Sequence, residues 1–274
     1  MIQNEKIIPI VSMKQLNTYS LQSANVFLHC MRRKEYLKSI LLNHAFIPRY
    51  NVEDISYLNL RDYKKIGIPM VCFCDIFLNR LRPHMRNYGR YGIGLKKNCM
   101  IRDSLNPIFY INSESFFSHE LANVIQMALN QLESPNADSC YENILDYQIY
   151  QLLYMKPLSG KMFLHNKLKN MNFHDEHEWR YIPNMKYTNL LPFILDNDIL
   201  SDRNRLNFYN DAIASYKEGW CQFSYDDIKY IIVDKEENRK EFINFITNKL
   251  NVDKNKKYHM LSKIITYGEL EGDF

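Results

Sequence analysis

Glycine is nearly missing from this chain: 8 residues in 274. That leaves little material for the glycine-rich turns that wrap phosphates. The G-x-x-x-x-G-K-[ST] loop does not occur, nor do H-E-x-x-H, G-x-S-x-G or the kinase H-R-D set. These absences set aside P-loop hydrolysis, zincin proteolysis, nucleophile-elbow hydrolysis and protein kinase chemistry. "YGRYGIG" holds Gly89, Gly92 and Gly94, but they lead into a strand, which excludes a Rossmann turn. None of the 6 cysteines forms a C-x-x-C pair, so a zinc ribbon is not expected. Cys72 and Cys74 read instead as small buried groups in an apolar strand. No stretch reaches the roughly 18 apolar residues of a membrane span. "MIQNEKIIPIVSM" lacks the basic start and apolar run of a secretion signal. The expectation is a cytoplasmic protein with reduced thiols and no membrane contact.

What is present suits a packed core. Hydrophobic residues make up 46% and charged residues 24%, with 20 tyrosines and 15 phenylalanines. The net charge of +4 is too mild to announce a nucleic-acid binder. A local patch is nevertheless visible in Arg80, Arg82, His84, Arg86, Arg90, Lys96 and Lys97, with Tyr88 and Tyr91 inside it. Arg86, Arg90 and Lys96 are its candidate phosphate or nucleic-acid contacts, and the tyrosines could stack on bases. The plainer reading is a solvated helix followed by a polar turn.

Periodicity predicts strands at Asn25 to Cys30, Ile68 to Ile76, Tyr91 to Lys97 and Asn106 to Asn112. A helix follows the first of these. Apolar stripes at helical spacing predict two more helices, from Ser115 to Leu132 and from Asp138 to Tyr154, broken by "SPNADSC". "EHEWRYIP" restores strand signal. A helix is expected near Arg205 to Tyr216, then a strand at Asp227 to Asp234, a helix and a last strand in "KIITYGELEGDF". The sum is an α+β pattern: one domain over residues 1–274, a mixed or antiparallel sheet, and a helical insertion at about 115–156.

"FHDEHEWRYIP", from Phe173 to Pro183, sets several ionisable residues beside one of the chain's two tryptophans. On a strand, Glu176, Glu178 and Arg180 share one face, and His177, Trp179 and Tyr181 the other. The aromatics are the natural core face, which turns the carboxylates toward a cleft or water. Two carboxylates about 7 Å apart along a strand can polarise a hydroxyl or stabilise a developing cation. The alternative is an amphipathic edge strand with ordinary surface charges. His174 and His177 fall on opposite faces, so no metal site is expected here. His29 interrupts the apolar "VFLHC"; it reads either as a site residue or as a hydrogen-bonded core histidine. Asp75 ends an apolar strand, where its plain role is to cap the following helix.

The pieces "FLHCMRRKEYLKSIL", "FIPRYNVED", "IPMVCFCDI", "YGRYGIGLKK", "NPIFYIN", "DEHEWRYIP" and "IITYGELEGDF" occur in an order that resembles the bacterial abortive-infection family AbiGi, whose members are named as antitoxins of phage-resistance loci. The resemblance spans nearly the whole chain and implies anti-phage defence. A broader likeness to ADP-ribosyltransferase folds implies NAD as substrate and a macromolecular target. In that likeness His29 matches the first-strand residue that grips the NAD ribose. Glu178 matches the catalytic glutamate, and Glu176 completes an E-x-E pattern. Tyr50 and Tyr91 both remain open for the second-strand aromatic, and Arg49 and Arg180 complete the cofactor-binding set. Cys72 to Asp75 stands where such enzymes carry S-T-S. The competing expectation is a non-catalytic antitoxin or sensor that binds a partner toxin or nucleic acid.

Overall fold

The structure, a computed structural model, describes residues 23–102, 105–132, 139–164, 167–186 and 188–271. The predicted features at 1–13 and most of the "SPNADSC" break therefore lie outside the described residues. The first half of the chain runs β1 (Val26–Met31), α1 (Lys34–Asn43), β2 (Ala45–Phe46), β3 (Arg49–Asp54), β4 (Lys65–Cys74), α2 (Arg82–Tyr88), β5 (Tyr91–Lys96), α3 (Lys97–Arg102), β6 (Asn106–Pro107) and β7 (Phe109–Ile111). A helical pair follows, α4 (Phe116–Leu132) and α5 (Ser139–Leu152). Then come β8 (Met155–Pro157), β9 (Ser159–Leu164), β10 (Lys167–Asn172) and β11 (Glu178–Tyr181). The last part holds α6 (Asn197–Ser201), α7 (Arg203–Ser215), β12 (Cys221–Gln222), β13 (Ile228–Val233), α8 (Glu236–Lys249), α9 (Lys254–Leu261) and β14 (Ile264–Thr266).

The main sheet has the order β14-β13-β5-β1-β4-β11-β6, and β3 adds to β4. Its pairings are antiparallel except β13 with β14. The architecture is thus α+β with a mixed, mostly antiparallel sheet, as the alternation of apolar segments predicted.

Strand alternation explains the layering. Phe27, Met31, Phe73, Ile93 and Leu95 point to one core, which α1 and α8 cover with Leu37, Leu41, Phe242 and Ile246. Val26, Leu28 and Cys74 point the other way and meet Leu81 and Met85 beside α2. Farther along the sheet, Ile66, Ile68 and Met70 of β4 pack on Leu121 and Ile125 of α4 and on Ile149 and Leu152 of α5. Two glycines are demanded by this packing. A Cβ on Gly94 would lie 2.8 Å from Val26, and one on Gly89 would lie 2.1 Å from the Met31 carbonyl oxygen, at a φ of +126° that L side chains rarely adopt.

Three differences from the expected pattern matter for the site. Residues Phe173–Glu176 form a 3₁₀ turn, and His177 is left-handed at φ 44°, so the strand begins only at Glu178. Glu176 is therefore not a strand neighbour of Glu178. Both faces of β11 are also covered: Trp179 and Tyr181 pack on the first core, while Glu178 and Arg180 are buried on the opposite face. The carboxylate face is largely buried and looks into a cleft wall, not into open solvent. Lastly, β8, β9 and β10 occupy a stretch that carried no strand signal. The C-terminal strand is shorter than predicted; it stops at Thr266 and gives way to a 3₁₀ turn at Gly268–Glu271. Asp75 caps no helix. It forms an ion pair with Lys97, and its backbone N–H donates to His177 O at 3.0 Å.

Candidate functional site

The site is set by a change of partners along β4. Its first part, Lys65 to Met70, pairs with β3, and its last part, Val71 to Cys74, pairs with β11. β1 pairs with β5 over six residues but meets β4 at one register pair, Leu28 with Cys74. Just past that pair the two strands separate. The ring of His29 spans the separation, with Nδ1–H donating to the Cys72 carbonyl at 2.7 Å. A carbonyl acceptor fixes that tautomer. Burial lowers the pKa of His29, and the Cys72 carbonyl opposes this only in part. Phe46 and Phe73 stand at 5.1 and 5.7 Å from the imidazole.

A cleft of about 880 Å³ runs through this gap. β1, β3, β4 and α2 all reach it, and Lys156, Glu176 and Glu178 lie in its wall. Cross-strand partners share a face, so Glu178 goes with Cys74 and Leu28, whereas His29 belongs to the opposite face with Ile93. The two residues line one cleft only because β1 and β4 part between them.

Glu178 is held on every side. Its Oε1 accepts from Arg180 Nε at 2.7 Å and its Oε2 from Lys156 Nζ at 3.0 Å. Its own N–H donates to the Tyr110 hydroxyl at 2.8 Å. Lys156 also donates to Glu176 at 2.7 Å, and the Tyr88 hydroxyl donates to the other oxygen of Glu176. Arg180, with no exposed surface, donates from Nη1 to Leu153 O at 2.7 Å and lies 3.4 Å from Glu53. Burial alone would raise the pKa of Glu178, but Arg180 and then Lys156 outweigh it and hold the carboxyl at about 2. At Glu176 burial prevails and the pKa is raised despite Lys156. Burial holds His84, in the same wall, at about 4, which keeps its imidazole neutral.

The structure divides the other candidates. Arg49 lines the cleft. Tyr50 does not; it is buried, and its hydroxyl donates to Leu191 O at 2.5 Å. Tyr91 donates to Asn238 Oδ1 at 3.2 Å, also away from the cleft. Of the tyrosines, Tyr36 and Tyr88 line the cleft, and Tyr88 is turned inward onto Glu176 rather than outward to stack. Arg180 is sealed and cannot grip a cofactor phosphate. The basic stretch is not one surface: Lys97 pairs with Asp75, Arg90 pairs with Asp234, and Arg82 and Arg90 both stand near the Tyr267 ring. Arg86 and Lys96 are exposed. Sequence reasoning missed Lys156 and Tyr110. The only signal for Lys156 was a lone charge between Met155 and Pro157, right after an apolar helix.

Two other concavities differ in kind. A wider basin of about 1150 Å³ around His44, Trp220 and Tyr225 holds none of the buried charged residues. A groove of about 470 Å³ lies on the helical pair, lined by Phe109, Phe117, Tyr147, Tyr150 and Tyr154. Phe109, Phe117, Tyr147 and Tyr150 are exposed there, and the adjoining Phe116 is 79% exposed.

Residues 44–234 match a family described as "Putative abortive phage resistance protein AbiGi, antitoxin". The chain is also 35% identical over 251 residues to the "Abortive phage resistance protein AbiGi" of Lactococcus lactis subsp. cremoris, covering 84% of this chain and 100% of that protein. No solved structure matches this chain. The family span includes the cleft residues from β3 to β11 and the aromatic groove, and leaves β1 outside.

Proposed function

Because the chain belongs to the AbiGi family of abortive phage resistance proteins, we propose that it is an antitoxin that restrains a partner toxin protein by direct contact. The observation that carries this reading is the aromatic groove on α4, α5 and β7. Aromatic residues concentrate at protein interfaces, where a large rigid ring gives contact area at little entropic cost. Contiguous exposed aromatics of this kind are uncommon on a surface that meets only water. The state of Glu178 supports the same reading, since both its oxygens are already used by Arg180 and Lys156. The groove is the docking site, and the ion cluster behind the cleft holds the sheet that carries it.

The test is co-expression with the toxin of the same phage-resistance locus, with growth and co-elution as readouts. Phe117→Asp and Tyr150→Asp should abolish both while melting like the wild type. Full rescue by variants that retain the wild-type melting point would remove the groove from the account.

One observation favours a second reading. Glu176 and Glu178 share one lysine, yet their pKa values are displaced in opposite directions. Carboxyl pairs driven apart in this way supply acid and base in many enzymes. Under this reading the cleft takes NAD, and Glu176 is the proton donor. Purified chain that cleaves NAD, with loss of cleavage in Glu176→Gln, would establish it over the antitoxin reading.

A further inference from the structure

We propose that Cys30, Cys74 and His84 form a zinc-type metal site at the inner wall of the cleft. The three come from β1, β4 and α2, far apart in sequence, and one ligand atom from each lies within 4.8 Å of the others. All three line the cleft. Both thiols are free of disulfides.

The donor set selects the ion. Two sulfurs and an imidazole are soft to borderline ligands, which suit zinc and disfavour magnesium or calcium. With zinc–sulfur bonds of about 2.3 Å and zinc–nitrogen bonds of about 2.0 Å, tetrahedral donors stand roughly 3.5 Å apart. Closing from within 4.8 Å asks for rotamer adjustment, not backbone movement. Charge favours the same ion. Two thiolates neutralise one divalent cation, so the occupied site carries no net charge into a buried setting. Binding replaces the two thiol protons, so each ion taken up releases two protons to solvent.

Three protein ligands leave a fourth position, and the cleft is the space it faces. That is the arrangement of zinc sites that accept water or a ligand, not of closed structural sites. The ring of His84 lies 4.5 Å from that of Tyr88, whose hydroxyl is tied to Glu176. That stack and hydrogen bond orient the imidazole from behind. No short-range spacing announces this site, because the ligands are brought together only by the register of β1 on β4 and by the seat of α2.

The test uses the full chain, purified reduced and metal-free, with zinc(II) and cobalt(II) as probes. One equivalent of cobalt should give thiolate-to-metal charge transfer in the near ultraviolet and intense tetrahedral bands in the visible. One equivalent of zinc should displace it, and zinc uptake by the metal-free chain should release two protons. Cys30→Ser and His84→Gln should each weaken binding by at least about tenfold, whereas Cys140→Ser, at an exposed position, should not. Circular dichroism melts identify variants that stay folded, and His84→Gln decides the case if Cys30→Ser does not. Absence of a cobalt–thiolate band, or a band unchanged in a folded Cys30→Ser or His84→Gln, overturns the proposal.

Discussion

At the scale of single residues, Arg180 carries the largest obligation. It has no exposed surface, and it neutralises Glu178 while standing beside Glu53. Removing one partner of a buried ion pair leaves the other charge without compensation. Arg180→Met should therefore destabilise the protein by about 3–5 kcal/mol, measured as a shift in urea midpoint. The carboxyl of Glu178 gives a pH signature. Its pKa falls from 4.5 to about 2 on folding, so its contribution is complete above pH 4.5 and disappears as pH falls toward 2. The full term is on the order of 3 kcal/mol. The groups facing it are Arg180, Lys156, Glu176, Tyr88, Tyr110, Cys72 and His84, and Glu53 acts on its partners Arg180 and Lys156. Glu176, with its raised pKa, works in the opposite direction. Melting temperature followed from pH 6 to pH 2 should show the gap between wild type and Glu178→Gln closing below pH 4.5; a gap that stays constant contradicts the assignment. Glu178 was visible in the sequence as an acid in an aromatic strand. Its partner Lys156 was not, because a buried lysine looks like a surface lysine until its carboxylates are in place.

Secondary structure elements were legible where one face was apolar. The strands β1, β5 and β13 and the helices α1, α4, α5, α7 and α8 follow their hydrophobic stripes closely, whereas β4 starts three residues before and ends two residues before the expected Ile68 to Ile76. β9 and β10 did not announce themselves, since most of their side chains are half-buried or exposed and a hairpin without an apolar face has no period to read. The turn at Phe173–Glu176 escaped for a different reason. "HDEHEWR" alternates on paper, and the 3₁₀ turn ending at the left-handed His177 breaks the count. The end of α2 offers a test at this scale. Gly89 closes that helix with its N–H donating to Met85 O at 2.8 Å, and the Met31 backbone occupies the space that a Cβ would take. Gly89→Ala should cost at least about 2 kcal/mol, because both the positive φ and the 2.1 Å approach forbid a methyl group. An alanine variant with an unchanged melting point would mean that α2 and β1 sit farther apart than this.

The whole molecule is tied together by strands that serve two cores at once. β4 gives Phe73 to one and Ile66, Ile68 and Met70 to the other, while β11 gives Trp179 to the first and presses Arg180 against Leu153 of the second. Neither core can melt alone without stripping a shared strand. Denaturant unfolding should therefore be one transition, with tryptophan fluorescence and far-ultraviolet circular dichroism giving the same midpoint; separated midpoints would divide the chain into independent units. The sequence order predicted the α+β class with its mixed, mostly antiparallel sheet, and it resembled the family to which the chain belongs. It did not disclose the cleft, which depends on where two strands stop touching.

That parting of β1 from β4 acts as a crease in an otherwise continuous sheet. Along most of its length, pulling the sheet apart means breaking rung after rung of amide hydrogen bonds. Here the two strands share one register pair, Leu28 with Cys74, and past it a single imidazole spans the fold line, bonded to the Cys72 carbonyl. One hydrogen bond of this kind is worth only about 0.5–1.5 kcal/mol net. A guest that takes over either half of that contact widens the crease at the cost of one bond, and the sheet on both sides keeps its ladders.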